Sequence, residues 1–211
     1  MTEKMSALVT TAYFPPVLYF KEIYNSDSLI IEVNDNYTKQ TYRNRTKILS
    51  ANGVLALSFP IIKTHNQKVK TKDVRIDYSI RWQKNHYRAL LSAYKSSPFF
   101  EYYIDYFIPF FEKRYNFLID FNTDILKQLF NVFDIKKDIK FTDDYFANVP
   151  LVKDLREKYY PKKQNTDIEN CKKYKQVFDA KFNFVPNLSI LDMLFNLGPE
   201  TDIYFNNNAV N

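Results

Sequence analysis

The sequence has 211 residues and 45% hydrophobic content, which suits one domain with a sizeable core. Its net charge of +6 comes from 30 basic and 24 acidic residues that are interspersed, whereas a nucleic-acid-binding protein concentrates its basic residues on one face, so no nucleic-acid partner is expected. Two glycines cannot build a P-loop or a GxGxxG dinucleotide loop, and the single Cys171 excludes a disulfide framework and a multi-cysteine zinc site.

The N-terminal part is predicted to form a strand–helix–strand unit. Ser6–Tyr13 is almost entirely apolar or β-branched, which is typical of a strand buried on both faces. Pro16 favours a helix over Val17–Tyr24, because its missing N–H would be unpaired at a helix start anyway. Ser28–Val33 is a second short strand, and units of this kind usually place their two strands in parallel.

The turn Tyr13–Pro16 follows the first strand at its carboxyl end, where open α/β sheets bind ligands. Tyr13 and Tyr19 flank this edge, so the turn is a candidate wall of a site. An equally good interpretation is a proline-stiffened turn packed by aromatic side chains.

A hairpin is predicted next, with strands Tyr42–Leu49 and Val54–Phe59 joined through Asn52-Gly53, a strong hairpin signal. Thr64–Lys72 is polar and predicts a surface loop, and Val74–Tyr78 predicts another short strand.

From Arg81 the apolar period changes to that of a helix, which is predicted to run to Tyr94 before Pro98. Three later segments are also predicted to be helical: Tyr102–Phe111, Leu118–Phe130 and Ile190–Leu197. Ser189 and Gly198 are the expected caps of the last one.

Further strands are expected at Lys140–Thr142 and Val177–Phe184, and Ile203–Phe205 is predicted to be a last strand or a docking segment. Residues 150–176 are expected to be mostly surface, and residues 206–211 to be a disordered tail. The predicted fold class is therefore α/β: a mixed β-sheet with a βαβ start, a hairpin and several helices packed on it, in a single domain over residues 1–205.

His86 is the candidate general base, because imidazole titrates near neutral pH and this residue lies one helical turn after Trp82. The competing interpretation is a hydrogen-bonded histidine in the packing layer, and the sequence alone favours it. His65 lies in the polar loop.

Arg43 and Arg45 would share one face of the first hairpin strand, with Asn44 on the other. Two adjacent guanidinium groups repel each other unless an anion or a carboxylate lies between them. A phosphate, diphosphate or carboxylate ligand would serve, and so would local acids such as Asp73 or Asp77.

The sequence carries no Asp-x-Asp signature and no HExxH motif, so neither a metal site nor another cofactor is expected. No apolar run approaches the length of a membrane span, and the N-terminus is not a secretory signal. A cytoplasmic location is the resulting expectation.

The order and spacing of several motifs resemble those of the WbqC-like protein family of bacteria. The motifs that carry this resemblance are Tyr13–Pro16 with Tyr19-Phe20, Lys39–Arg45, Asn52-Gly53 before Leu57–Pro60, Trp82 with His86 and Tyr94, Ser97–Phe100, and Ser189–Asp192. The opening Ala-Tyr-Phe-Pro-Pro is similar to that of one branch of the family, whereas many members carry His-Gln-Pro there.

The resemblance implies a role in bacterial surface-polysaccharide biosynthesis, with acyl or aminoacyl transfer from a carrier-protein thioester to an amino sugar. His86 would then be the base, Asn44 or Arg45 would be an oxyanion donor, and Arg43 and Arg45 would hold a sugar-nucleotide phosphate. The expected ligand-binding residues are Tyr13, Lys39, Tyr42, Arg43, Arg45 and Trp82. The alternative is a non-catalytic protein of the same pathway that recognises an anionic sugar nucleotide in the same cleft.

Overall fold

A computed structural model describes residues 5–62, 68–161, 168 and 171–206. Its strands are β1 (Ser6–Thr10), β2 (Leu29–Glu32), β3 (Arg45–Ser50), β4 (Gly53–Ser58), β5 (Ile139–Phe141) and β6 (Val152–Asp154). Its helices are α1 (Val17–Asn25), α2 (Trp82–Tyr94), α3 (Phe100–Tyr103), α4 (Ile108–Glu112), α5 (Leu118–Val132), α6 (Asp179–Phe182), α7 (Ile190–Leu197) and α8 (Glu200–Asn206).

A parallel sheet lies at the centre, with strand order β5-β2-β1-β6. The β1–α1–β2 unit is formed as predicted, with Ala7 paired to Leu29 and Thr10 to Glu32. Ala7, Leu8 and Val9 are almost completely buried, as expected for a strand covered on both faces. Because all four strands are parallel, their carboxyl ends meet at one edge of the sheet.

The predicted hairpin also forms, with Ser50 paired to Gly53 and Arg45 to Ser58. It is a separate two-stranded antiparallel sheet and does not join the parallel one. The hydrophobic core is nevertheless continuous, since Ile48 and Leu57 of the hairpin belong to the same buried cluster as Val9 of β1. The α/β fold class is confirmed.

Helix α2 agrees with its predicted bounds, and α7 is capped as expected, with the Ser189 hydroxyl accepting from the Leu191 N–H. Its Asp192 carboxylate is buried and accepts hydrogen bonds from three side chains of other segments. The donors are Tyr94 at 2.8 Å, Tyr174 at 2.6 Å and Gln176 at 2.8 Å. Burial raises the pKa of Asp192, while these three donors oppose the shift.

Several predictions of secondary structure are wrong. Val74–Tyr78 makes only isolated bridges, through Arg75 and Ile76, and the strand predicted at Val177–Phe184 contains the short helix α6. Of the two predictions for Ile203–Phe205, the strand is wrong, because the segment lies in α8. The docking segment agrees with the structure, since Tyr204 and Phe205 pack into the core from this helix. Tertiary packing overrides the β propensity of these short aromatic runs.

Two further differences come from local constraints. The predicted helix Tyr102–Phe111 is divided into α3, a 3-10 turn at Ile104–Tyr106 and α4, because Pro109 is tolerated only in the first turn of a helix. Strand β6 was not predicted, since three residues that include Lys153 and Asp154 show no readable periodicity. Of the loop predicted over Thr64–Lys72 and the tail predicted over 206–211, residues 64–67 and 207–211 lie outside the described residues.

Gly198 allows a stability prediction, because its φ is +53° and a Cβ there would lie 2.6 Å from the Phe99 ring. Gly198→Ala should lower the free energy of unfolding by about 2 kcal/mol through overpacking and backbone strain together. Gly53→Ala is the matched control, since Gly53 also has a positive φ but its Cβ would meet only Phe182 at 3.9 Å. Urea unfolding measures both losses, and an equal loss in the two variants would contradict the role assigned to the Phe99 contact.

Candidate functional site

A cleft of about 490 Å³ opens at the carboxyl edge of the parallel sheet. It is lined mainly by polar residues that follow β1, β2, β5 and β6, together with two aromatic rings. The lining residues are Thr10, Asn34, Asp35, Asn36, Thr38, Arg43, Lys70, Tyr145, Ala147, Asp154, Arg156, Glu157 and Tyr160. Its volume lies within the range of small-ligand sites.

Arg43 and Asp35 form an ion pair in the wall of this cleft, between the arginine Nη2 and the aspartate Oδ2. Arg43 is 2% exposed, and its Nη1 also contacts the Thr41 hydroxyl at 3.3 Å. The Thr71 hydroxyl donates to the other oxygen of Asp35. The pair is therefore held from both sides, and the acids Asp73 and Asp77, considered from sequence, are not the partners of Arg43.

The geometry of this segment also differs from the sequence interpretation. Arg43 and Asn44 lie in a turn before β3, which begins only at Arg45. Alternation along a strand therefore does not apply to Arg43. Its position is fixed instead by its backbone carbonyl, which accepts from Asn122 Nδ2 at 2.8 Å.

Arg156 organises the opposite wall. Its guanidinium donates to Asp154 through Nε at 3.0 Å and Nη2 at 2.6 Å, and to the fully buried Glu32 through Nη1 at 3.0 Å. The same group donates to the carbonyls of Phe146 at 2.8 Å and Ala147 at 3.1 Å. Hydrogen bonding to Arg156 lowers the pKa of Asp154.

Residues that follow β2 and β5 are hydrogen-bonded to Glu32, the buried partner of Arg156. The second oxygen of Glu32 accepts from the Asn34 N–H at 2.8 Å and from the Thr142 hydroxyl at 2.7 Å. Asn34 Nδ2 donates to the Thr142 carbonyl at 2.6 Å, and Lys72 donates to Asn34 Oδ1 at 2.8 Å. These bonds hold Asn34, which together with Asp35 and Asp154 forms the polar floor of the cleft.

His86, Trp82 and Tyr13 lie together in the hydrophobic core rather than in this cleft. His86 Nε2 is 3.2 Å from the Ser58 carbonyl, which can only accept, so Nε2 carries the proton. Nδ1 then accepts from the Tyr13 hydroxyl at 2.9 Å. Burial lowers the pKa of His86 to about 4, so the ring is neutral at pH 7 with both nitrogens engaged.

The other sequence-predicted residues occupy different places. Asn44 donates to the Phe59 carbonyl at 2.7 Å, and Arg45 is half-buried at the start of β3. Tyr42 is buried beside a smaller cavity of about 140 Å³, and Lys39 is exposed. Of the eight predicted site residues, Arg43 is the one that lines the larger cleft.

Sequence reasoning missed most residues of the cleft. Asn34–Asn36 was assigned no role from the sequence, although polar residues directly after a buried strand are a recognisable signal in α/β sheets. Asp154 and Arg156 could not be found in this way, because the strand that positions them was not predicted. Tyr145 and Tyr160 lie in irregular segments without a pattern.

In the part of the chain that the structure describes, no three His, Cys, Asp or Glu side chains are grouped closely enough to hold a metal ion. Across the same residues, no helix combines the length and hydropathy that crossing a membrane requires.

The model of the WbqC-like protein family matches residues 11–158 and 161–204. A protein of Mycobacterium tuberculosis (strain ATCC 25618 / H37Rv), named "Uncharacterized protein Rv1507c", is 25% identical over 228 residues, which cover 95% of this chain and 97% of that protein. No solved structure matches significantly.

The environment of His86 predicts a pH dependence of stability. The folded pKa of about 4 lies below the ordinary 6.5, so the unfolded chain binds the proton more readily. The contribution of neutral His86 to the free energy of unfolding should be fully present above pH 6.5. It should fall by on the order of 3 kcal/mol as the pH is lowered from 6.5 to 4. Urea unfolding of the protein and of His86→Gln at pH 7.5 and 5 measures this, and the variant should lose the dependence.

The control is the unaltered protein at the same two pH values, where the pH dependence should be present. An unchanged pH dependence in His86→Gln would contradict a neutral, buried His86.

Proposed function

The chain belongs to the WbqC-like protein family, and we propose that it binds a sugar nucleotide of bacterial surface-polysaccharide biosynthesis in the cleft at the carboxyl edge of its parallel sheet. The observation that supports this proposal most is the composition of the cleft, where fixed carboxylates, amides and guanidinium groups face a volume of about 490 Å³. The pathway assignment follows from the family resemblance.

The polar floor suits a polyhydroxylated ligand. Sugar hydroxyls both donate and accept, so they need carboxylate or carbonyl acceptors beside N–H donors. Asp35 and Asp154 supply acceptors, and Asn34 supplies an amide. These groups are already positioned by Arg43, Arg156 and Lys72, so a ligand would not have to order them, which favours affinity.

Lys70 gives the cleft an affinity for an anionic group. It is exposed and lines the cleft on the side of Asn36, with which it forms an isolated β-bridge. A lysine ammonium binds phosphate as a point charge, so a diphosphate can be placed here without a glycine-rich loop. We therefore place the diphosphate of the sugar nucleotide beside Lys70.

A binding role is favoured over the His86-dependent transfer that the resemblance implies. Acyl transfer to an amine needs a base within hydrogen-bond reach of that amine. His86 is buried with both nitrogens engaged, and no histidine lies among the described residues that line the cleft. A transfer assay with an acyl carrier protein thioester and an amino sugar tests the transferase role directly. Turnover that is lost in His86→Ala would overturn the preference for a binding role.

Calorimetric titration tests the proposed ligand class with a nucleoside-diphosphate amino sugar, the free amino sugar and a nucleoside diphosphate. The unaltered protein should bind the first most tightly. Lys70→Ala should weaken that binding about fivefold, as expected for one partly exposed charge-assisted contact of about 1 kcal/mol. The free amino sugar should be unaffected by this change, because it carries no phosphate.

Lys68→Ala is the matched control, since Lys68 is an exposed lysine two positions earlier that does not line the cleft. It should bind like the unaltered protein. Equal weakening in the two variants would indicate a general charge effect, and absence of binding to all three compounds would refute the proposal.

A further inference from the structure

Tyr145 places an aromatic ring at the mouth of the cleft. It follows β5 in the segment that leads to β6, and 51% of its side chain is exposed although it lines the cleft. Its neighbour Phe146 is 60% exposed and does not line the cleft. The two residues therefore differ in what they face, while both are aromatic and accessible.

The Tyr145 ring is held in place by the wall beneath it. The Arg156 guanidinium carbon lies 5.2 Å from the ring centre, within the range of a cation–π contact. The same guanidinium binds the next two backbone carbonyls, those of Phe146 and Ala147. The Tyr145 N–H donates to Asp144 Oδ1 at 2.7 Å. These contacts orient an exposed ring before any ligand arrives.

The rest of the cleft indicates what the ring would contact. Its floor presents Asp35, Asn34 and Asp154, which suit hydroxyl groups, and Lys70 suits phosphate. A flat, unsaturated ring gains little from such groups but stacks well on an aromatic side chain. The ring at the mouth thus complements the one part of a sugar nucleotide that the floor does not satisfy.

We propose that Tyr145 is the stacking platform for the nucleobase of the bound sugar nucleotide and so determines preference for nucleotide-linked over free sugar phosphates. This inference rests on the proposed function, because it assigns one part of that ligand to one residue. Arg156 is a positioning residue in this arrangement, since it acts through the tyrosine ring and its loop.

Titrations of two ligands test the inference: a nucleoside-diphosphate amino sugar and the amino-sugar 1-phosphate, which lacks the base. Tyr145→Ala should weaken binding of the nucleotide about tenfold and leave binding of the sugar phosphate unchanged. Tyr145→Phe keeps the ring and should bind like the unaltered protein. Phe146→Ala removes an equally exposed ring outside the cleft and should also bind normally.

The outcomes separate the inference from the proposed function. Unchanged nucleotide binding by Tyr145→Ala would overturn the inference while leaving the cleft as a binding site. An equal loss for both ligands would also overturn it, by assigning the ring to the sugar. If the unaltered protein binds neither ligand, both proposals fail. Thermal unfolding of Tyr145→Ala should match that of the unaltered protein, which confirms that any loss reflects binding.

Discussion

The Glu32 carboxylate is the constraint around which the sheet edge is built. It is completely buried, and a buried charge is tolerated only where other groups compensate it closely. Arg156, Thr142 and the Asn34 N–H supply that compensation from after β6, after β5 and after β2. One acidic side chain thereby fixes the relative positions of three chain segments. The polar groups at this edge consequently form a rigid surface.

Two groups of polar side chains in the described structure have different consequences. His86, Tyr13 and Asp192 are buried and hydrogen-bonded to other parts of the protein. Their polar groups therefore connect elements of the core. The ion pairs Arg43–Asp35 and Arg156–Asp154 at the sheet edge also satisfy charges, but they border open volume. Residue type alone does not separate these groups, because a histidine in a helix has the same identity whether it contacts a carbonyl or a substrate.

The parts of the fold that were predictable are those with local signals. Proline and glycine positions and apolar periodicity mark the β1–α1–β2 unit, the hairpin, α2 and α7. Arg43 was identified as unusual from its neighbours, but Asp35 was not identified as its partner, because that choice depends on how the chain returns after β2. Strand β6 carries no pattern of its own and exists through pairing with β1, so Arg156 could not be placed.

The start of α1 has a consequence for the order in which the chain can acquire its structure. Its first two N–H groups are satisfied by late residues: Val17 donates to the Leu188 carbonyl at 2.9 Å, and Leu18 to Asn187 Oδ1 at 3.0 Å. The Phe14 carbonyl likewise accepts from Ser189 at 3.2 Å. The Phe14 carbonyl also accepts from Thr46 at 2.7 Å, so only the start of α1 emerges during synthesis well before its partners. These two hydrogen bonds can form only after residues 187 and 188 have been made, so a chain truncated before them would leave the start of α1 without these partners.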